Sequence, residues 1–425
     1  MTALTLEALS KAVAGGAAAI RATTRLEPAG GPADKVFPPT YVKEGRAETK
    51  YALEERRIGA RTVQTVLLDS VASQANRFEE VILEGWRRGE LPIPVVQVDF
   101  SKQEGLADLE QITALQAPHR IADALLRDST IGGVPFRHTD IGKEITDARP
   151  NAATAIYKYC PTALVFGVWD STGPKGGLGA KFQRSLVSEI VGIDVVTGVK
   201  TASRIDPTGI QTKAGPIFKS KDPIQDWTVE EKEAELAKGK PVEFSRKSGG
   251  DGKKGSPSAI NHGNIPPSID AQAGGVTMDH AIQTTVLTLA GLRRLRFQTD
   301  CAGERIAPER RDEAEIAART ALAALAVAAI VYQRENDYDL RSRSILVAKE
   351  PLTLEVVGRD GGEPAGFSLS KKEASELLKA AEQAARKLGF GLDPNPVNLL
   401  PAPKLAGLIR KSRELASSGE AEGED

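Results

Sequence analysis

The stretch GVWDSTGPKGGLGAKFQRSLVSEIVGID, residues 167–194, contains the contrast that decides the fold class. Its first half carries four closely spaced glycines between 173 and 179, which break regular structure. From Arg184 the chain continues as RSLVSEIVGIDVV, in which residues alternate as they do in a β-strand. Because both faces carry bulky residues, a short helix over the first half of this segment is the alternative. The apolar run just before the glycines, Ala163–Trp169, predicts a second, buried strand.

Helical patterns lie on both sides of this stretch. Apolar spacing predicts a helix from about Gln64 to Arg88 and an alanine-rich helix from Pro308 to Tyr332. A capping box at Ser370–Glu373 predicts the start of another helix, whereas Ile93–Phe100 has the composition of a strand. Because helices and strands are mixed without regular βαβ units, we expect an α+β fold with an antiparallel or mixed sheet.

Composition divides the chain into five parts. Residues 1–25 form an N-terminal segment, and residues 26–244 form the first part of the main domain. Residues 245–275 hold seven glycines and three prolines, too many for a core of their own, so we expect a mobile insertion. The main domain resumes over residues 276–412, and an acidic tail at 413–425 is predicted to be disordered.

Composition also excludes several classes of protein. The chain has 425 residues, a net charge of −1, two cysteines and four scattered histidines, which argues against a disulfide framework and a zinc site. The N-terminus lacks the pattern of a secretory signal, and the longest apolar run, Ala321–Tyr332, is too short to span a bilayer. We therefore expect a cytoplasmic protein that binds no membrane, metal or cofactor.

The glycine-rich segment 170–184 is the first candidate binding site. Lys175, Lys181 and Arg184 stand among its glycines, and glycines let backbone N–H groups approach a phosphate closely. The spacing fits neither a Walker A loop nor a dinucleotide fingerprint. On this pattern alone, phosphate binding and a flexible hairpin with solvated lysines are equally supported.

Charge is also segregated around this loop. Residues 171–221 contain eight basic and three acidic residues, a surplus of five positive charges in a nearly neutral chain. Such a segment suits a nucleic-acid backbone, although surface lysines are common.

Two further basic or polar groups are candidates. Arg293, Arg294 and Arg296 follow an alternating strand and suit recognition of phosphate or bases, although they could instead pair with nearby acids. Gln74 and Arg77 share one helical face, for which a plain polar surface is the stronger interpretation in isolation.

The case for catalysis is poor. His119 and His138 each have an aspartate nearby in sequence, Asp123 and Asp140, so a general acid and base could be imagined. A helix cap or a surface contact is the more common role for such a histidine. The sequence has no nucleophile elbow or recognisable metal triad.

Several long motifs resemble those of one protein family. Residues 167–194, NHGNIPPSI (261–269) and GGVTMDHAIQTTVLTLAGLRRLRF (274–297) are similar to the large backbone subunit of type I-G CRISPR–Cas surveillance (Cascade) complexes. LLDSVASQANRFEE (67–80) and APHRIADALLRDS (117–129) resemble the same family. The resemblance covers about Val36 to Tyr332.

The resemblance implies a fold and a function. Members of this family, which belongs to the RAMP superfamily, have a ferredoxin-like (RRM-like) palm with large insertions that form thumb or finger elements. Copies of the subunit polymerise along the guide RNA (crRNA), beside other CRISPR effector subunits, and present the guide for pairing with target DNA. We therefore expect a non-catalytic RNA-binding protein, with contacts from Gln74, Arg77, Lys175, Lys181, Arg184, His280, Arg293, Arg294 and Arg296. The alternatives are an RNA-processing endonuclease of the same superfamily and a nucleotide-binding enzyme that uses the glycine-rich loop.

Overall fold

A computed structural model describes residues 2–42, 49–173, 180–211, 213–245 and 254–417. Helices and strands are interspersed along the chain, which confirms the α+β class. The described α-helices are α1 (Leu6–Lys11), α2 (Val71–Arg87), α3 (Ala124–Arg127), α4 (Asp140–Asp147), α5 (Thr154–Tyr159), α6 (Thr162–Phe166), α7 (Leu289–Leu292), α8 (Pro308–Glu335), α9 (Lys371–Arg386) and α10 (Pro403–Ser417).

Most of the strands are short. In chain order they are β1 (Thr2–Ala3), β2 (Ala17–Pro28), β3 (Leu53–Ile58), β4 (Arg61–Asp69), β5 (Val96–Asp99), β6 (Gln111–Thr113), β7 (Ser129–Ile131), β8 (Val134–Pro135), β9 (Val168–Trp169), β10 (Lys181–Phe182), β11 (Leu186–Ile193), β12 (Val196–Thr197), β13 (Lys200–Arg204), β14 (Phe218–Lys219), β15 (Trp227–Thr228), β16 (Leu236–Ala237), β17 (Lys240–Pro241), β18 (Ile265–Asp270), β19 (Val276–Thr277), β20 (His280–Thr288), β21 (Tyr338–Arg341), β22 (Ser344–Ala348), β23 (Leu354–Gly358), β24 (Ala365–Ser368) and β25 (Val397–Pro401).

The chain forms two compact units, and the larger one is built on a ten-stranded sheet. This unit comprises 1–41, 51–196 and 276–410. Its sheet has the order β1-β24-β23-β2-β20-β11-β4-β3, with β21 and β22 joined at β2. Neighbouring strands are antiparallel, except that β1 runs parallel to β24. A second sheet in this unit has the order β6-β5-β25-β7-β8.

Alternation along the central strands separates a buried face from a more exposed one. In β20, Ala281, Gln283, Thr285 and Leu287 are buried, and the residues between them are partly or fully exposed. Helices α2 and α8 pack against the central strands and each other, and α9 packs against α8. Side chains that alternate across the pleat thus supply one buried face for the helices to cover.

Helix α8 forms the centre of this core. Its alanines from Ala321 to Ala329 are at most 1% exposed, which lets neighbouring elements approach closely. Among the described residues it is the one helix long and apolar enough to cross a membrane, but 89% of its most apolar window is buried inside the protein. That burial is consistent with the core helix of a soluble protein.

The smaller unit comprises 197–275 with 42–50 and the chain from Lys411. Its described strands form two-stranded ribbons, in which β13 pairs with β18, β14 with β15 and β16 with β17. The predicted insertion 245–275 falls in this unit. Residues 246–253 lie outside the described residues, but the rest includes β18, because Ile265–Asp270 finds a partner in β13.

Several predicted elements are correct and two are wrong. The strand at 186–193, the helix from Pro308 and the capping box at Ser370 are confirmed. The helix predicted from Gln64 begins only at Val71, because residues 61–69 form β4. The strand predicted at 163–169 is instead mostly α6. In a short run of consecutive apolar residues, periodicity cannot distinguish a buried helix from a buried strand.

Candidate nucleic-acid interface

The strands β9 and β10, which lie on either side of most of the basic loop predicted at 170–184, pair as an antiparallel hairpin. Trp169 of β9 is the register partner of Lys181 of β10. Gly167 leads into the hairpin at a φ of +83°, and a Cβ there would lie 3.0 Å from the backbone nitrogen of Arg184. Glycine is therefore required where the chain leaves α6. Residues 174–179, including the predicted contact Lys175, lie outside the described part of the chain.

The hairpin lines a cavity of about 820 Å³. Residues 118–120 and the turn after α7 contribute further walls. The Arg296 N–H donates to the carbonyl of Pro150, which also lines the cavity, at 2.7 Å, and this bond fixes the turn. The fold thus brings together two predicted basic segments, the loop and the arginine cluster, that are far apart in the sequence.

The cavity is lined by cations. Arg120, Lys181, Arg184 and Arg294 line it, and none of its described lining residues is an aspartate or a glutamate. Lys181 and Arg294 are exposed. The guanidinium of Arg294 has no hydrogen-bond or ion-pair partner among the described residues. Cations without carboxylate partners in a concave site attract anions and raise their local concentration.

Arg184 is fixed more firmly than the two exposed cations. Its Nε donates to the carbonyl of Phe166 at 3.1 Å. Burial, followed by the nearby charge of Arg120, lowers the pKa of Arg184 from its ordinary value. An arginine nevertheless stays protonated in proteins, so this side chain supplies a positive charge of fixed position.

Arg120 is anchored by a buried carboxylate. Its Nε and Nη2 donate to the two oxygens of Glu79 at 2.6 and 2.7 Å, and its Nη1 donates to the carbonyl of Gly167 at 3.2 Å. Burial raises the pKa of Glu79 to about 7, and the charge and hydrogen bonds of Arg120 oppose that rise. The pair connects α2 to the start of the hairpin.

Of the predicted contact residues on α2, Gln74 is buried and Arg77 is partly buried. Gln74 is fully buried, and its side chain donates to Asp69 at 2.6 Å and accepts from Gln283 at 2.7 Å. Arg77 donates to the same aspartate at 2.9 Å and to the carbonyl of Leu340 at 2.7 Å. Both residues belong to a polar network that joins α2 to the sheet.

The predicted arginine cluster is divided among three roles. The alternating strand predicted before the cluster is confirmed as β20, and between it and the arginines lies α7, which ends at Leu292 and is followed by a turn. Arg293 donates to the carbonyls of Val13 and Ala17 at 3.2 and 2.9 Å. Arg296 pairs with Glu315 at 2.6 Å. Arg294 is therefore the member of the cluster that lines the cavity.

The remaining predicted basic residues are not among those that line the cavity. His280 is only 14% exposed, and its Nδ1 lies 2.6 Å from a carboxylate oxygen of Asp279. In the basic segment 171–221, the residues from Lys200 onward belong to the smaller unit. There Lys200 pairs with Asp270 and Lys219 with Glu235. The positive surplus counted in the sequence is thus partly compensated by acids from other segments.

Several other wall residues could contact RNA but were not predicted to do so. Trp169, Gln183 and His119 all line the cavity, and each is exposed. Trp169 is 52% exposed, and the Nζ of Lys181 lies 4.9 Å from the centroid of its ring. A hairpin interpretation of 168–182 would have paired this tryptophan with the lysine. His119 had been considered only as a catalytic residue.

The structure also places the groups that metal or thiol chemistry would need. Among the described residues, no three His, Cys, Asp or Glu side chains are close enough to hold a metal ion. Cys160 is buried and Cys301 is half-buried. Burial raises the pKa of the Cys160 thiol and raises that of Cys301 to about 12.

One comparison with known proteins gives a match. Residues 20–197 match the family model of CRISPR-associated protein GSU0053. This part of the chain is therefore similar to a CRISPR-associated protein family. The matched residues are less than half of the chain, but they include Arg120, Trp169, Lys181 and Arg184. No curated protein matches the chain.

Proposed function

We propose that the protein is a non-catalytic, crRNA-binding backbone subunit of a CRISPR effector complex. In this proposal, copies polymerise along the guide beside other effector subunits, and the guide pairs with target DNA. An RRM-like palm would form from the antiparallel sheet and its helices. Neither a metal nor a cofactor is needed for this function.

The observation that carries the proposal is a cavity lined by Lys181, Arg184 and Arg294, which have no carboxylate partner among the described residues. Arg120 also lines it, but its charge is balanced by Glu79. Neutralisation of phosphates supplies most of the sequence-independent affinity for a nucleic-acid strand. A subunit that must hold any guide sequence needs this kind of contact rather than base-edge readout. The match to a CRISPR-associated family supports RNA as the anion.

The proposal is tested by removing the two exposed cations together. The double variant K181A/R294A removes two phosphate contacts, so the dependence of log K on log salt for a single-stranded RNA should flatten by about 1.4. The affinity loss should be similar for guides of different sequence. Fluorescence anisotropy at several salt concentrations measures both quantities.

A matched control removes two exposed lysines from another element. Lys379 on α9 and Lys387 directly after it are exposed and lie outside the cavity. The double variant K379A/K387A changes the net charge by the same amount. Equal flattening in both double variants would mean that general attraction, rather than the cavity, determines RNA binding.

A nuclease is the second candidate, because His119 lies in the cavity wall. A histidine beside a bound phosphodiester could act as a general base or acid. We nevertheless propose a binding role, because no carboxylate is found among the described lining residues to orient the imidazole. Purified protein should leave a guide precursor intact. Cleavage that is abolished in H119A and retained in H138A would establish the nuclease instead.

A further inference from the structure

The most exposed of the three tryptophans stands in the wall of the cationic cavity. Trp169 is 52% exposed, whereas Trp227 is 38% exposed and Trp86 is partly buried with its Nε1 donating to Pro394. Large aromatic side chains are usually buried for most of their area. About half of the surface of this residue is therefore exposed, and a ligand that enters the cavity can reach it.

The surroundings of the ring indicate the chemistry of that ligand. The ammonium of Lys181 lies over the ring, 4.9 Å from its centroid. Arg294 and Arg184 line the same cavity, and Gln183 adds an exposed side chain that can both donate and accept hydrogen bonds. An aromatic face beside several cations suits a molecule that combines a flat ring with a phosphate, which is the composition of a nucleotide.

We infer that Trp169 is a stacking platform for one unpaired base of the bound strand, with Lys181 and Arg294 on the adjoining phosphates. This inference rests on the proposed function and adds to it a base contact where phosphate contacts alone were expected. Stacking is tolerant of sequence because every base has a π-face, so the site is compatible with guides of any sequence. The ligand is an unpaired nucleobase.

The test compares two tryptophans in similar settings. Trp227 is the register partner of Lys219 on a two-stranded ribbon, as Trp169 is of Lys181, but it does not line the cavity. With an oligoadenylate as the probe, W169A should raise Kd about 5- to 150-fold. The salt slope should stay unchanged, because no cation has been removed. W227A should leave both quantities as in the wild-type chain.

A second measurement does not depend on an alanine at the hairpin. Titration with the oligoadenylate should quench the tryptophan fluorescence of the wild-type chain, since a base stacks on an exposed ring. W169F should remove most of that quenching and retain most of the affinity, because phenylalanine still offers a ring. Quenching that persists in W169F would overturn the inference.

The outcomes separate this inference from the proposed function. If W169A binds as the wild-type chain does while K181A/R294A flattens the salt slope, the cavity binds RNA and the stacking site is refuted. If the wild-type chain binds no single-stranded RNA, both are refuted. Inorganic polyphosphate, which has no bases, should bind to W169A and to the wild-type chain with equal affinity. Weaker binding of polyphosphate to W169A would refute stacking.

Discussion

Arg120 holds both carboxylate oxygens of Glu79, at 2.6 and 2.7 Å, and the two side chains are 8% and 2% exposed. This ion pair connects helix α2 to a wall of the cationic cavity. Breaking a buried pair by removing one partner costs more than the pair itself contributes, because the remaining charge stays desolvated. The pair therefore gives two predictions about stability.

Loss of Arg120 should destabilise the fold strongly. R120M leaves the Glu79 carboxylate buried without its partner, so at pH 8 the free energy of unfolding should fall by about 3–5 kcal/mol. Urea denaturation measures the change. The double variant E79L/R120M, in which neither charge remains, should show a smaller decrease in the free energy of unfolding. The exposed pair of Lys372 and Glu376 serves as the control, because K372A should change the free energy by no more than about 0.5 kcal/mol.

Titration of Glu79 should make stability fall as pH rises. Its pKa is about 7 in the folded protein and near its ordinary 4.5 in the unfolded chain. Between these values the folded state binds more protons than the unfolded state, so stability declines up to about pH 7 and is constant above it. The decline should reach at most about 3 kcal/mol. E79Q should lack it, and a difference between the two proteins that stays the same from pH 4.5 to pH 8 would contradict the assignment.

The buried position of Gln74 predicts a structural effect. Its amide joins Asp69 to Gln283 and also accepts a hydrogen bond from Ser188 at 3.0 Å. Q74A leaves buried polar groups unsatisfied, so the free energy of unfolding should fall by about 1–3 kcal/mol. The affinity for RNA should not change. Weaker RNA binding with unaltered stability would instead assign Gln74 to the RNA, as the sequence suggested; Q183A, which removes an exposed amide in the cavity, is the reference for such a loss of affinity.

Assembly of the proposed filament should depend on RNA length. Head-to-tail contacts build an open helix when the rotation between neighbours does not close a ring. A guide that holds neighbours together raises their effective concentration, so weak contacts suffice. In mass photometry the complex should grow in steps of one subunit as the RNA lengthens, with little oligomer in its absence. A dimer or ring of constant mass at every RNA length would contradict the filament.

The sequence predicted the fold where a pattern favours one structure over the others. The capping box at Ser370 and the alternation over Leu186–Ile193 gave correct elements. The prediction failed where the same apolar residues fit both the helical period and the strand period. Val63 and Leu67 fit a helical face, yet they lie on β4 with the β-branched residues Thr62 and Thr65, and the helix begins only after Ser70 caps it.

The candidate site was predictable in part for a similar reason. Sequence identifies clusters of arginine and lysine but does not show which members find partners. Arg293 donates to three carbonyls of residues near the N-terminus, whereas its neighbour Arg294 reaches the cavity. A role for Trp169 could be inferred only from the pairing of β9 with β10, which places a lysine over its ring.

The two cysteines make the chain suitable for selective chemical labelling. The thiolate is the reactive form of cysteine, and burial raises the thiol pKa of both Cys160 and Cys301, to about 12 for the latter. Neither should react appreciably with a maleimide dye at neutral pH. A cysteine introduced at the exposed Lys379 would then carry the dye alone, without removal of the native cysteines. Energy transfer between subunits labelled in this way would report the spacing of neighbours along an RNA.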